Sequence, residues 1–535
     1  MYCKVAPIRR FPRSVEPYDY QIPEDLTVDV GSFVEVPLRN TPVIGIVTAI
    51  MDVSEFSRVA FLTKILSIPA LSTEDVHFYQ RLAVRTYQSL SSILFAAIPL
   101  PPKRFIHKSR PVIERGSFGI TPQEALTLKT CLTTVTESHH SCLCLPNDRV
   151  GLGLVLALLK TTTDPLFVLV PDVHMAEAVL RVGTIVTEDC KLFLAKQSKT
   201  EAYESWCALR EGTCRLIIST RSGALVPPHA STRIVMLGSG EDDFAQWDQN
   251  PHYDARWCLA TRRDTHSNAT VEIDVFPRVE DGDVTLDVWK TPDVQIVDMQ
   301  TGARLSDHYL LSIEALTLIR TTDTTNAPLV IFYNRLQRAD NDAYVGVEAL
   351  AQLVRKEFPD KFVHVVNAQT NIPANGIVIV TRTLLFQWDY LEPHMAGLIV
   401  LRPEHNLIYR GFRSLEQATR ELRRLVSFAA SAHAPCLIQA REPHVVEEML
   451  GPTTVIRSEE LHMRKTLHYP PFGDFHVVRA KDQGSRELIE SYRVQHAGAG
   501  SGQELVLRTE PNGYIPEWLT WPPSCDMFVS PDSME

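Results

Sequence analysis

The 535 residues carry a formal charge of −11 at pH 7, with 44% hydrophobic side chains, 22% charged side chains and ten cysteines. That composition suits a globular chain with room for three or four domains and excludes a uniformly basic nucleic-acid coat. The apolar runs are too short to span a bilayer, the N-terminus lacks a signal-type apolar core, and no C-x-x-C pair occurs, so the expectation is a cytoplasmic protein with reduced thiols and no membrane contact.

Charge is unevenly spread. Residues 1–115 hold 14 Lys/Arg against 11 Asp/Glu, about +3, which leaves about −14 for the remainder. Patch charge governs contact with phosphates, so a mildly basic front end is compatible with DNA binding there, as it is with a fluctuation of surface composition.

Residues 1–97 read as a small β-rich domain. Val28 to Pro37 alternates apolar and polar side chains around Gly31, a hairpin signature. Val43 to Ile50 is a second β-branched run in which Gly45 predicts a bulge or a close backbone approach. Between about Asp75 and Phe95 the spacing of Phe78, Leu82, Val84, Tyr87 and Leu90 predicts one helix. Residues 98–117 are Pro-rich and basic, with Lys103, Arg104, Lys108 and Arg110, and read as a linker.

Residues 118–290 have the strand–helix rhythm of a nucleotide-fold lobe. Thr121-Pro122 opens a helix, and short apolar runs at 142–145, 167–170 and 234–237 predict buried parallel strands. A phosphate loop needs several glycines, then Lys and Ser/Thr. Pro146 to Gly153 offers Gly151 and Gly153 only, with no Lys before Lys160, and these glycines are expected to serve turns or packing. The strand ending at Leu237 runs into Gly238-Ser239-Gly240-Glu241 rather than an acidic pair. After it come Phe244 and Trp247, which can stack on bases or fill a surface groove. Residues 291–456 predict a second lobe, and 457–535 a short α+β end.

Several stretches resemble the PriA family of bacterial replication-restart helicases. In the first domain they are Tyr18-Asp19-Tyr20, Val30-Gly31, Val36-Pro37 and Gly45-Ile46-Val47. Further on they are Pro251, Tyr253, Ala255 and Arg256, the strand ending at Asn334-Arg335, and Tyr469-Pro470-Pro471-Phe472-Gly473. The resemblance implies an N-terminal domain that binds the 3′ end of a nascent strand at a stalled fork, two RecA-like lobes, and a C-terminal domain here cut short. It implies a pocket of Tyr18, Asp19 and Tyr20 with Lys64, or its neighbour Thr63. An aromatic ring there would stack on a terminal base and a carboxylate would accept from a terminal hydroxyl; the same aromatics can equally pack the small core. Where the family has Gly, this chain has Leu38-Arg39, so Arg39 brings a charge to the pocket.

The family's other working parts are altered. Its winged-helix module has no room between 98 and 117. Its acidic box aligns with Gly238-Ser239-Gly240-Glu241. Its zinc region has no cysteine between Cys258 and Cys436, and its arginine-finger motif aligns with Ser427 to Ser431. Arg420, Arg423 and Arg424, on a helix expected from about Leu415 to Phe428, are expected to form a solvated or partner-facing surface.

Fold needs apolar volume, whereas catalysis needs particular atoms in place. The expectation is therefore a DNA-binding primosome-assembly protein with ATP and zinc lost, which recruits helicase-loading partners and single-stranded DNA-binding protein. The alternatives are an ATP-dependent 3′-to-5′ DNA helicase with divergent motifs and a protein-interaction scaffold without DNA contact.

Overall fold

In the first hundred residues the β-branched runs pair into one sheet. Its strands are β1 (Tyr2–Pro7), β2 (Tyr18–Gln21), β3 (Phe33–Leu38), β4 (Thr41–Met51), β5 (Ala60–Phe61) and β6 (Lys64–Ile65), in the order β5-β2-β1-β4-β3-β6. Leu62 N–H donates to Gln21 O at 3.0 Å and Thr63 N–H to Glu35 O at 2.9 Å, so the segment joining β5 to β6 bridges both edges and closes the sheet. At Gly45 a Cβ would lie 2.5 Å from Val5 Cγ1 and 3.0 Å from Ala6 O: β4 passes close to β1, as the glycine predicted.

The coordinates are a computed structural model that describes residues 1–39, 41–106, 118–300, 310–334, 346–367, 370–382, 384–387, 389–391, 394–408, 411–496, 503–515, 521–522 and 524–530. The linker read at 98–117 therefore lies outside the described residues from 107 onward. So do the Gly-rich turn at 497–502 and the last five residues.

The single helix expected between Asp75 and Phe95 is two, α1 (Thr73–Arg85) and α2 (Leu90–Ala97). Tyr87 sits at φ 55°, in the left-handed region, and Ser89 restarts the helix by accepting from Ser92 N–H at 3.3 Å. Helical periodicity ran through the break because Tyr87 and Leu90 are both buried.

The first lobe begins with α3 (Pro122–Glu137). Its sheet comprises β7 (His140–Cys144), β8 (Leu166–Leu169), β9 (Cys190–Phe193), β10 (Leu216–Ser219), β11 (Arg233–Leu237), β14 (Thr270–Asp274) and β15 (Leu286–Asp287). A two-strand ribbon, β12 (Ala245–Gln246) and β13 (Tyr253–Asp254), stands apart. The seven strands are all parallel, in the order β15-β7-β14-β11-β8-β10-β9. They are wound with α4 (Asp148–Thr161), α5 (Val173–Gly183), α6 (Lys199–Glu211) and α7 (Ala255–Arg263). Gly151 and Gly153 lie inside α4, where a Cβ at Gly153 would come within 2.8 Å of Leu128 on α3; the glycines let two helices pack.

The second lobe repeats the plan with β16 (Gln295–Asp298), β17 (Leu329–Phe332), β18 (Val363–Val366), β19 (Ile377–Val380), β20 (Gly397–Leu401) and β21 (Cys436–Ala440), parallel in the order β16-β21-β20-β17-β19-β18. Its helices are α8 (Ile313–Thr321), α9 (Val347–Glu357), α10 (Leu384–Gln387), α11 (Ser414–Ser431) and α12 (Pro443–Leu450). Strands such as Leu329–Phe332 and Ile377–Val380 are buried throughout, as a parallel sheet covered on both faces requires. The fold class is thus the one expected: a β-rich front, two α/β lobes and an α+β end.

The end comprises α13 (Thr453–Leu467), β22 (Asp474–Ala480), α14 (Gln483–His496), β23 (Glu504–Thr509) and β24 (Cys525–Ser530), with β22 central and antiparallel to both neighbours. It holds the front of the chain. Arg85 pairs with Asp474 at 2.6 Å, Tyr87 Oη meets His476 Nδ1 at 2.6 Å, and Arg13 donates to Pro522 O at 2.6 Å.

Candidate nucleic-acid interface and interlobe cleft

On β2 alternation puts Tyr18 and Tyr20 on one face and Asp19 on the other. Tyr18, at the start of the strand, is 36% exposed and packs edge-on against Phe11, ring centroids 6.2 Å apart. Tyr20 points into the barrel at 3% exposure, donates to Pro37 O at 3.0 Å, and burial pushes its phenol up to about 12. Its role in a base-stacking pocket is corrected: the ring packs with Cys3, Val5, Val34 and Val36 in the core, because the shared face is covered at Tyr20 and left open at Tyr18.

Between them, Asp19 is held by two groups that sequence reading missed. Lys4, directly opposite in the β1–β2 register, lies 3.5 Å from Asp19 Oδ1, and Ser54 Oγ donates to Oδ2 at 2.5 Å. Asp19 Oδ1 is buried, makes no hydrogen bond and faces the Lys4 ammonium. Lys4 could have been found only from strand pairing, which one sequence does not specify. Lys64 lies exposed on β6, 3.5 Å from Glu35, and Arg39 is exposed at the β3–β4 turn with φ 47°.

The ribbon after β11 separates the other two expected base contacts. Trp247 is 65% exposed, but Phe244 is fully buried with Tyr253, Cys258 and Leu259, under the Arg256 guanidinium 6.0 Å away. Stacking of a base on Phe244 is therefore corrected: an aromatic in a loop is as readily a core plug.

The largest departure concerns α11. Arg420, Arg423 and Arg424 are buried, not solvated, and they face the carboxyl ends of the first lobe's strands. Arg424 pairs with Asp148 at 2.9 Å, with Glu241, and with Asp274 at 3.4 Å. Arg420 lies 3.4 Å from Asp274 and donates to Phe276 O at 3.1 Å. Its guanidinium sits so tightly on Gly240 that a Cβ there would fall 2.2 Å from it. Arg382 adds a contact to Glu241 at 3.7 Å, and Arg423 lies between the rings of Phe276 and Trp289, 4.8 and 4.5 Å from their centroids. A helical wheel shows a polar stripe but not what faces it, and here the opposing lobe supplies the countercharges.

Electrostatics follow from that burial. Burial pushes Asp148 up to about 6 against the pull of Arg424. For Glu241 burial also raises the carboxyl, yet Arg424, Arg382 and Arg420 together outweigh it and hold it below the ordinary range. Asp148 opens α4, and Asn147 caps it by accepting from Val150 N–H at 2.9 Å. The helix N-terminus that would meet phosphates thus carries a carboxylate already engaged by Arg424.

Residues 11–99 match the family model described as 3′DNA-binding domain (3′BD). The replication restart protein PriA of Rickettsia conorii is 23% identical over 343 residues, covering 60% of this chain and 52% of that protein. The Bacillus subtilis replication restart protein PriA is 22% identical over 182 residues, 31% of this chain and 22% of that one. The chain spans about half the length of the Rickettsia relative. Among solved structures, RecG bound to a three-way DNA junction aligns over 65% of this chain and 47% of its own at 12% identity and TM-score 0.40. Helicase Lhr of Mycobacterium smegmatis, bound to ssDNA and AMP-PNP, aligns over 64% and 49% at 9% and 0.34.

Proposed function

The chain belongs to the PriA family, and from that premise we propose that it is a DNA-binding replication-restart factor that recognises forked or 3′-ended DNA without hydrolysing ATP. The observation that carries this reading is the interlobe cleft, where the chain's own guanidiniums take the positions a phosphate-handling site would need open. The residues there do not fit a magnesium triphosphate. Asp148 stands at the helix N-terminus, α4 carries no lysine before Lys160, and Arg420 abuts Gly240 where an acidic metal ligand would project. A triphosphate would have to break several buried ion pairs to enter, and each such break leaves an uncompensated charge.

The DNA side is supported by the 3′DNA-binding family match and by exposed Tyr18, which offers a stacking ring adjoining the Asp19 carboxylate. Exposed Lys64 and Arg39 supply phosphate contacts. Partners of such a factor are helicase-loading proteins and single-stranded DNA-binding protein, reached from the DNA-bound state.

The test is titration of labelled fork DNA, ending in a 3′ hydroxyl or a 3′ phosphate, alongside a DNA-stimulated ATPase assay. Selective binding of the hydroxyl fork with no turnover supports the reading. DNA-dependent phosphate release would replace it with a divergent 3′-to-5′ helicase.

A further inference from the structure

A cavity of about 430 Å³ opens where the first domain, the first lobe and the C-terminal sheet meet. That volume lies in the range of sites that enclose a small ligand. The indoles of Trp247 and Trp257 line it; Trp257 is pinned by Arg85, 5.5 Å from its ring, and by Asn512, which accepts from its indole N–H at 3.0 Å.

The polar lining is nearly neutral as a whole. Four of its carboxylates are matched by arginines that also line it: Asp474 by Arg85 at 2.6 Å, Asp254 by Arg256 at 2.8 Å, Glu280 by Arg413 at 2.5 Å, and Glu272 by Arg263. A phosphate would find every guanidinium engaged, and a cationic side chain would face four of them. What the lining leaves unsatisfied is hydrogen-bonding capacity. Glu272, 2% exposed, has its Oε2 buried without a partner, and so has His252 at Nδ1. A buried polar atom without a partner costs free energy that an incoming group can recover. Burial, reinforced by Glu272, drives the neighbouring Asp281 carboxyl well above its ordinary range, and burial keeps His252 neutral. Burial raises Glu272 as well, and two adjacent carboxyls that share a proton both donate and accept.

We propose that this cavity takes a single nucleobase, carried by an unpaired nucleotide of bound DNA or by a free nucleoside, with its ring against Trp247 and Trp257 and its polar edge on Glu272 and Asp281. A planar, neutral ligand with donors and acceptors along one edge satisfies both the apolar walls and the unpaired atoms. Delivery by DNA rests on the DNA-binding reading above; binding of a free nucleoside does not.

The full chain is tested with two fluorescent probes, 2-aminopurine riboside alone and a fork with 2-aminopurine unpaired at the branch and a dye far from it. Saturable quenching of either probe, weakened about 10-fold by Trp247→Ala in line with the roughly 1–3 kcal/mol of a stacked base, supports the site, and the responding probe identifies the source. Ala260→Phe, at an exposed α7 position on the cavity wall, should abolish it. No quenching of either probe overturns the proposal, as does quenching indifferent to both substitutions, or a tryptophan response to an oligo-arginine peptide alone. If the distal dye reports fork binding while neither base probe is quenched, this inference falls and the DNA-binding reading stands. Quenched riboside without fork binding gives the reverse.

Discussion

Asp19 and Tyr20, adjacent on one strand, carry different loads. Replacing Asp19 with Ala should lower the preference for 3′-hydroxyl over 3′-phosphate forks about 10-fold, the worth of a hydrogen bond to a charged acceptor at roughly 1.5–3 kcal/mol; anisotropy titration of the two forks checks it. Tyr20→Ala should instead cost about 3–5 kcal/mol of stability through a core cavity and lose all binding modes together. Circular-dichroism melts distinguish it from Tyr18→Ala, which should weaken binding and leave the fold intact. The triplet was legible as a motif. Which of its members faces outward was not, because that depends on where the barrel closes.

Glu416 gives the pH dependence. Burial raises its carboxyl, but Arg464, Arg420 and Arg413 outweigh burial and hold it below the ordinary range. A depressed acid contributes stability that is complete above its unfolded value, near 4.3, and is lost as pH falls through the folded one. Glu416→Gln should therefore cost roughly 1.5–3 kcal/mol at pH 7, where Arg464 loses one of the carboxylates that hold it and keeps Glu280 and Glu460, and less near pH 3. Urea midpoints at the two pH values, with unchanged slope, measure it.

Helix α11 is the element on which the two lobes meet. Arg424→Met removes the cation shared by Asp148, Glu241 and Asp274 and should destabilise by about 3–5 kcal/mol. Adding Asp148→Asn should recover part of the loss, with a coupling energy of roughly 0.5–3 kcal/mol in a double-mutant cycle followed by chemical denaturation. Strictly additive losses would mean that the pair does not interact.

Elements of this kind divide into readable and unreadable. The strands ending at Leu169 and Leu237 announced themselves as apolar runs, since a buried parallel strand has no polar face to disguise it. The partition of α1 from α2 stayed hidden because Ser89 can cap a helix or sit within one. The arginines of α11 misled for a related reason. Their type matches a solvated stripe, and only the opposite lobe, distant in sequence, turns that stripe inward. Phe244 was misplaced by the same ignorance of what lies across from a loop.

For the molecule as a whole, the filled cleft predicts indifference to nucleotide. Saturating a native-state site at a hundredfold over its dissociation constant adds about 2.7 kcal/mol and shifts the melting temperature by several degrees. Millimolar Mg-ATP should move it by less than about 1 °C here, in a thermal-shift scan with and without fork DNA. A larger rise would mean that the arginines yield to phosphate.

The contacts of Arg85 and Tyr87 with the C-terminal sheet carry a consequence for biosynthesis. Tyr87 and His476 are 389 residues apart. At roughly 5–20 residues per second, translation brings the second to the first only after some 20 to 80 s. During that interval the nascent front module is made but not yet docked, with the faces that Arg85 and Tyr87 will cover still open to the cell. Chaperones or nucleic acid can meet those faces before the ribosome finishes, so the handling of this chain during synthesis depends on its last strands.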